Sequence, residues 1–323
     1  MRPPFSRTAF DLLLEIGHRD PGAMAVIERA GSSTYQQLAR RAGQVAASLR
    51  ARGLRRGDRV GLLVDNRTEW LEIFFGAAAL GAVIVPLSTW VKRAEIEFLL
   101  QDSRVKALFA LDAYNGQCFG DDIAALQAQG GLTALERVVV VGGGERAGWE
   151  RYQAYFDEPP LGALPPGEGA SAADTLVILY TSGSSNRPKA VPLAHFAAIE
   201  NGFNIGERQG LRASDRVLLA PPLFWSYGGV NPLPATCTHG ACLVLQSRFE
   251  PGEALDLIEQ HRCTALYTLP AMTSALVGHP AFRPERTASL RTGLTIGSPQ
   301  DVIKAARDLG AAEICNIYGS TET

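Results

Sequence analysis

The sequence has almost no net charge. Its 31 basic residues are set against 33 acidic ones, leaving −2. That balance argues against nucleic acid or an anionic membrane as a partner drawn in by bulk charge. Cysteine is sparse, with Cys118, Cys237, Cys242, Cys263 and Cys315 making an odd count of five. Only Cys237 and Cys242 are close together, and no histidine pair stands beside them at zinc spacing. The pattern is that of reduced, mostly buried thiols in a cytosolic, cytoplasmic protein rather than a disulfide framework. Long apolar runs are missing too. The most apolar stretch, "IFFGAAALGAVIVPL" at 73–87, is broken by two glycines and a proline. It is too short for a membrane span and reads as a buried helix followed by a strand. The N-terminal "MRPPFSRTAF" lacks the apolar segment of a signal peptide. No G-x-S-x-G elbow appears, which weakens a hydrolase reading.

What is present is alternation. Thr34 reads as a helix N-cap, with Gln37 completing a capping box. Leu38, Ala42, Val45, Ala46 and Leu49 then follow at helical spacing. "RVGLLV" at 59–64 predicts a buried strand, and a helix from about Thr68 turns Leu71, Phe74, Phe75 and Ala78 inward. "AVIVPL", "KALFA" and "RVVVV" predict further strands, with helices at "AEIEFLLQDS" and near 121–129 between them. Residues 143–173, rich in Gly, Pro and Ala, read as an irregular crossing. "DTLVILY" returns to the sheet, and "VPLAHFAAIENGFNI" reads as helix. "DRVLLA", "LRTGLTIG" and "AEICNIYG" predict later strands, with "PQDVIKAARDLG" a helix. Strand and helix in this order predict an α/β fold with mostly parallel sheets covered by helices. A chain of 323 residues buries roughly three quarters of its unfolded surface and needs no staples.

The stretch "YTSGSSNRPKA" at 180–190 follows a predicted strand. It fails the Walker pattern, which needs a second glycine before the lysine and a hydroxyl after it. Yet Thr181, Ser182, Ser184 and Ser185 offer hydroxyl donors. Gly183 lets successive N–H groups turn toward one anion, and Lys189 adds a cation. Local chemistry leaves an anion cradle and an exposed polar turn both open. In "NIYGSTE", from Asn316 onward, Tyr318 can stack on a flat ring, Thr321 can donate to a phosphate, and Glu322 can bind Mg²⁺. Gly319 would serve equally in a plain turn. "PPLFWSYGG" at 221–229 can wall an apolar pocket or pack in the core. In "IGSPQ" at 296–300, a turn leading into a helix, exposed N–H groups can meet a ligand, and a plain loop fits equally. "VVVVGGGERA" satisfies G-x-G-x-x-A through Gly142, Gly144 and Ala147, but the aromatics and prolines that follow do not suit a dinucleotide fingerprint's helix. Neither His195 nor His239 has a carboxylate partner at readable spacing.

In this order, the pieces resemble the AMP-forming adenylating superfamily of acyl-CoA synthetases, nonribosomal-peptide adenylation domains and luciferases, closest in feel to fatty-acid and acyl-CoA ligases. "YTSGSSNRPKAVPLAH" is similar to that family's phosphate-loop signature, commonly Y-T-S-G-T-T-G-x-P-K-G-V, and "NIYGSTE" to its second signature. The resemblance extends over "TYQQLARRAGQVAASLRARGLRRGDRVGLLVDN", "GAVIVPLSTW" and "ATCTHGACLVLQSRFEP". Asn186 and Ala190 replace glycines, and Trp225 stands where many acyl-CoA synthetases carry histidine.

The resemblance implies two helix-flanked sheets in an incomplete N-terminal domain, with lobes of about 55–200 and of 10–54 plus 201–323. The ribose-binding aspartate and the small C-terminal domain would lie beyond this chain, which reads as a fragment. It implies ATP-dependent activation of a carboxylic acid to an acyl-adenylate, then thioester formation with coenzyme A. Thr181, Ser182, Gly183, Ser184, Ser185 and Lys189 would hold the β- and γ-phosphates, and Thr321 the α-phosphate. Glu322 would bind Mg²⁺. Tyr318, with Asn316 and Gly319, would border adenine, beside Gly297, Ser298 and Pro299. Trp225, Ser226, Tyr227, Gly228 and Gly229 would wall the pocket for an acid with a hydrophobic tail or ring. The competing readings are a non-catalytic binder of the same fold and an NAD-dependent oxidoreductase using Gly142 and Gly144.

Overall fold

A computed structural model describes residues 3–162, 164–165, 167–181 and 187–321. Helix α1 (Ala9–Arg19) precedes a hairpin of β1 (Met24–Glu28) and β2 (Gly31–Thr34). Helix α2 (Tyr35–Ala51) starts at the expected capping box. The Thr34 N–H donates to Gln37 Oε1 at 2.9 Å, and the Gln37 N–H to Thr34 Oγ1 at 3.2 Å. Then come β3 (Arg59–Leu63), α3 (Thr68–Ala79), β4 (Val83–Pro86), α4 (Arg93–Asp102), β5 (Ala107–Leu111), α5 (Phe119–Ala128) and β6 (Arg137–Val141). A short strand β7 (Glu150–Arg151) and a 3₁₀ turn (Tyr152–Phe156) follow, then β8 (Thr175–Thr181), β9 (Lys189–Ala194) and α6 (His195–Gln209). The rest runs β10 (Arg216–Leu219), a π-helical turn (Ser226–Val230), α7 (Pro232–His239), β11 (Cys242–Leu245), α8 (Pro251–His261) and β12 (Ala265–Thr268). It closes with α9 (Pro270–Val277), β13 (Thr292–Thr295), α10 (Pro299–Leu309) and β14 (Glu313–Asn316).

Among the described residues the strands form two seven-stranded sheets. They belong to two compact units: residues 6–11 with 38–196, and residues 1–5, 12–37 and 197–323. In the first unit the sheet order is β7-β6-β5-β3-β4-β8-β9, parallel except for the final β8–β9 pair. Helix α3 is buried along most of its length, and α2 crosses it closely. A Cβ on Gly76 would stand 2.8 Å from the Ala42 carbonyl oxygen, so only glycine fits there. In the second unit the order is β14-β13-β12-β10-β11-β1-β2, with only β2 antiparallel. Leu218, Val244, Leu255, Ile258 and Leu266 form the core on one face of that sheet.

Two expectations need correction. "KAVPLA" is the edge strand β9, not the start of a helix, and α6 begins only at His195. Pro192 is tolerated there because an edge strand needs no donor on its outer side. The irregular crossing also holds a built element. Tyr152 and Tyr155 are fully buried, and the Tyr152 hydroxyl donates to Glu72 Oε2 at 2.8 Å. Arg41 Nε donates to the other carboxylate oxygen at 2.9 Å. Burial pushes the Glu72 carboxyl above the usual range, against the pull of Arg41 and Tyr152. No described helix is long and apolar enough to cross a membrane.

Candidate active site

In the first unit, Tyr180 and Thr181 end β8, and Lys189 and Ala190 begin its antiparallel partner β9. Thr181 pairs directly with Lys189, and Tyr180 with Ala190. Directly opposed residues in an antiparallel pair point to the same face. The Thr181 hydroxyl and the exposed Lys189 ammonium therefore share one face, with Tyr180 and Ala190 on the other. Ser182, Gly183, Ser184, Ser185 and Asn186 lie outside the described residues. Lys189 is thus placed at the hairpin's closing pair rather than on a helix N-terminus, where a Walker lysine would stand.

In the second unit, β10, β12, β13 and β14 are parallel neighbours, so their carboxyl ends lie side by side at one edge. The expected residues leave the sheet at this edge. Gly297, Ser298 and Pro299 follow β13, and Asn316, Tyr318, Gly319 and Thr321 follow β14. Asn316 Nδ2 donates to the Gly297 carbonyl at 3.2 Å, tying these two segments together. Tyr318 is 99% exposed, a free flat ring at the sheet edge. Ser298 caps α10: its hydroxyl and its N–H both donate to Asp301 at 2.8 Å, and the Asp301 N–H returns to the hydroxyl at 3.3 Å. These bonds from Ser298 hold the Asp301 carboxyl below the usual range. The donors expected to be free at Ser298 are therefore engaged locally. Glu322 lies outside the described residues.

Trp225, Ser226, Tyr227, Gly228 and Gly229 come after β10 and form the π-helical turn and its entry. Such turns occur mostly as single units and often at functional sites. Tyr227 is buried, and its hydroxyl lies 2.9 Å from both the Thr268 and the Leu294 carbonyl oxygens, at the ends of β12 and β13. Trp225 and Ser226 are half-buried, and the Trp225 ring meets Phe224 edge-on at 6.0 Å. A Cβ on Gly228 would collide with the Pro222 carbonyl, so the tight turn depends on that glycine. The end of β12, with Thr268 and Leu269, belongs to this edge but escaped the sequence reading. "ALYT" before Pro270, a proline at a helix's first turn, was the available signal.

His195 is fully buried. Its Nδ1 accepts the Ala9 N–H at 3.1 Å, and its Nε2 has no hydrogen-bond partner among the described residues. Burial pushes its pKa down to about 4, against Asp174 and Asp11, which favour the proton. His239 does have a carboxylate, Glu207 Oε1 at 3.1 Å, on a different helix. No sequence spacing could have shown that pair. After β6, Gly142 and Gly144 lead through bends into β7 rather than into a helix, so the dinucleotide arrangement is not built. All five cysteines are free, and burial pushes Cys237, Cys242 and Cys263 up to about 12. No group of three His, Cys, Asp or Glu side chains among the described residues could hold a metal.

The chain is similar to a feruloyl-CoA synthase of Amycolatopsis sp, 35% identical over 305 residues, covering 94% of this chain and 57% of that protein. It is 30% identical to the indoleacetate–CoA ligase of Aromatoleum aromaticum, over 94% of this chain and 58% of the relative. Thus it spans little more than half the length of these curated relatives. Among solved structures, the anthranilate CoA ligase AuaEII with bound anthranoyl-AMP superposes with a TM-score of 0.86 at 26% identity, covering 99% of this chain and 61% of that one. The N-terminal domain of FACL13 from Mycobacterium tuberculosis does so with a TM-score of 0.84 at 25% identity, covering 98% and 77%. The family model for AMP-binding enzymes matches residues 14–323, and the chain belongs to that family.

Proposed function

We propose that the protein activates a carboxylic acid with ATP and passes the acyl group to the thiol of coenzyme A. One observation carries the reading. In a chain of the AMP-binding enzyme family, the segments after four neighbouring parallel strands gather an apolar turn, a capped helix start and an exposed tyrosine at one sheet edge. A carboxylate oxygen of the acid attacks the α-phosphorus, an acyl–phosphate bond forms, and pyrophosphate leaves with the bonding pair. The thiol sulfur then displaces AMP from the acyl carbon. Both first-step reactants are anionic, so the site must neutralise charge and fix the line of attack.

Lys189 supplies the cation for the β- and γ-phosphates, and Thr181 a hydroxyl donor on the same face. Thr321 donates to the α-phosphate. Tyr318 stacks on adenine, with Asn316 and Gly319 beside it. Gly297, Ser298 and Pro299 form a wall, since the Ser298 donors are engaged with Asp301. Mg²⁺ is typically held by one or two carboxylates plus phosphate oxygens, a demand the single Glu322 carboxylate fits, and bound there it would draw charge from the leaving group. The Trp225–Gly229 turn suits an acid with a hydrophobic ring. The names of the feruloyl, indoleacetate and anthranilate relatives support an aryl acid. The free thiols support a reducing, cytoplasmic setting.

The test is acid-dependent ATP–pyrophosphate exchange by the complete gene product, over a panel of aryl and fatty acids. Exchange is expected with at least one aryl acid, and Glu322→Gln should lower it about a hundredfold. Absence of exchange with every carboxylate would overturn the proposal.

A further inference from the structure

Tyr180 stands next to Thr181 but faces away from it, across the hairpin sheet. Its hydroxyl donates to Asp102 Oδ2 at 2.6 Å. Its ring meets Phe98 edge-on, with centroids 6.3 Å apart and planes at 79°. Phe98 and Asp102 lie four residues apart on α4, so one helix face offers both a ring and a carboxylate to the same tyrosine. Burial, then the bond to Asp102, raises the Tyr180 pKa above the ordinary tyrosine value, so the hydroxyl stays protonated and donating.

Two features show what this contact is for. Asp102 is the last residue of α4, where the negative end of the helix dipole disfavours a carboxylate. The helix gains nothing from an acid there unless a donor meets it, and Tyr180 is that donor. On the strand side, β4 pairs with β8 through Ile84 and Val177, and β4 ends at Pro86. In that register Pro86 stands opposite Leu179, so Tyr180 and Thr181 run past the end of their parallel neighbour. Beyond that point, among the described residues, β8 has only the edge strand β9 for a ladder partner.

We infer that Asp102 and Tyr180 are a positioning pair for the nucleotide site. They clamp the overhanging end of β8 to α4 and so fix Thr181 and Lys189 where ATP phosphates bind. The inference rests on the adenylation reading for its ligand. The clamp itself can be measured without one.

Tyr180→Phe removes only the hydroxyl, Asp102→Ala only the acceptor, and the double variant both. Hydrogen exchange of the 179–190 peptide without nucleotide should quicken about fivefold in each single variant, and no further in the double, while β3 and β5 stay unchanged. In pyrophosphate exchange by the complete gene product, the KM for ATP should rise about fivefold in the same non-additive way. The KM for the acid and kcat should hold. Asp102→Asn, which keeps an acceptor, should restore part of the loss. Unchanged hydrogen exchange in Tyr180→Phe overturns the clamp, and so do additive effects in the double variant. A fully active Tyr180→Phe with unaltered KM for ATP overturns its role in nucleotide positioning. A wild-type protein with no exchange activity sinks the adenylation reading, whereas the peptide measurement still decides the clamp.

Discussion

Gly228 and Lys189 are polar opposites in what they do. Gly228 has no side chain, and the turn it sits in closes only because nothing projects toward the Pro222 carbonyl. Gly228→Ala should therefore destabilise the protein by about 1–3 kcal/mol, read from the urea midpoint, because an added methyl in a packed site must push backbone aside. No shift in the midpoint would mean that the turn opens freely. Lys189 is exposed and contributes little to packing. Lys189→Ala should leave the urea midpoint unchanged and raise the KM for ATP by about tenfold or more, the cost of one charge-assisted contact. Equal nucleotide affinity in the variant would remove Lys189 from the site. The hydroxyls and cation of this stretch were legible in the sequence, as an anion cradle or as a polar turn. The direct Thr181–Lys189 pairing was not, since it depends on which strand β9 joins.

The element that most repays attention is the junction of β9 and α6. Sequence periodicity ran the helix back over "VPLA" because Val191, Leu193 and the small residues suit either state. An edge position settled it as strand. At the junction stands His195, whose neutral Nδ1 receives the first N–H of α1. Its folded pKa of about 4 lies below the ordinary 6.5. Between those values the unfolded chain holds a proton that the folded one refuses. The stabilisation is complete above about pH 6.5 and is lost as pH falls toward about 4, by roughly 2–4 kcal/mol. Urea unfolding at pH 7 and pH 4.5 should show a shallower pH dependence in His195→Gln than in wild type. Parallel curves would mean that His195 does not titrate differently on folding.

At the scale of the whole chain, the parallel α/β plan was readable because each buried strand is a short apolar run between helices. The candidate site was readable only as two signatures. The second lies where sheet order brings β13 and β14 beside β12 and β10, the first on the β8–β9 pair of the other sheet, and no spacing along the chain encodes either placement. Native-state hydrogen exchange should be slowest in the central strands β3, β5, β10 and β12, and fastest in the edge strands β2, β7, β9 and β14. Equal protection across a sheet would contradict this order. The β8–β9 hairpin has a further consequence, in time rather than space. Its strands are close neighbours in the sequence, whereas parallel neighbours such as β5 and β6 must wait for a helix to fold between them. Hairpins close within about 1–10 μs, while contacts between residues far apart in the chain slow folding. In refolding, the closing pair of the proposed phosphate site should thus gain protection before the sheet that carries it, an order that pulse-labelled hydrogen exchange can check.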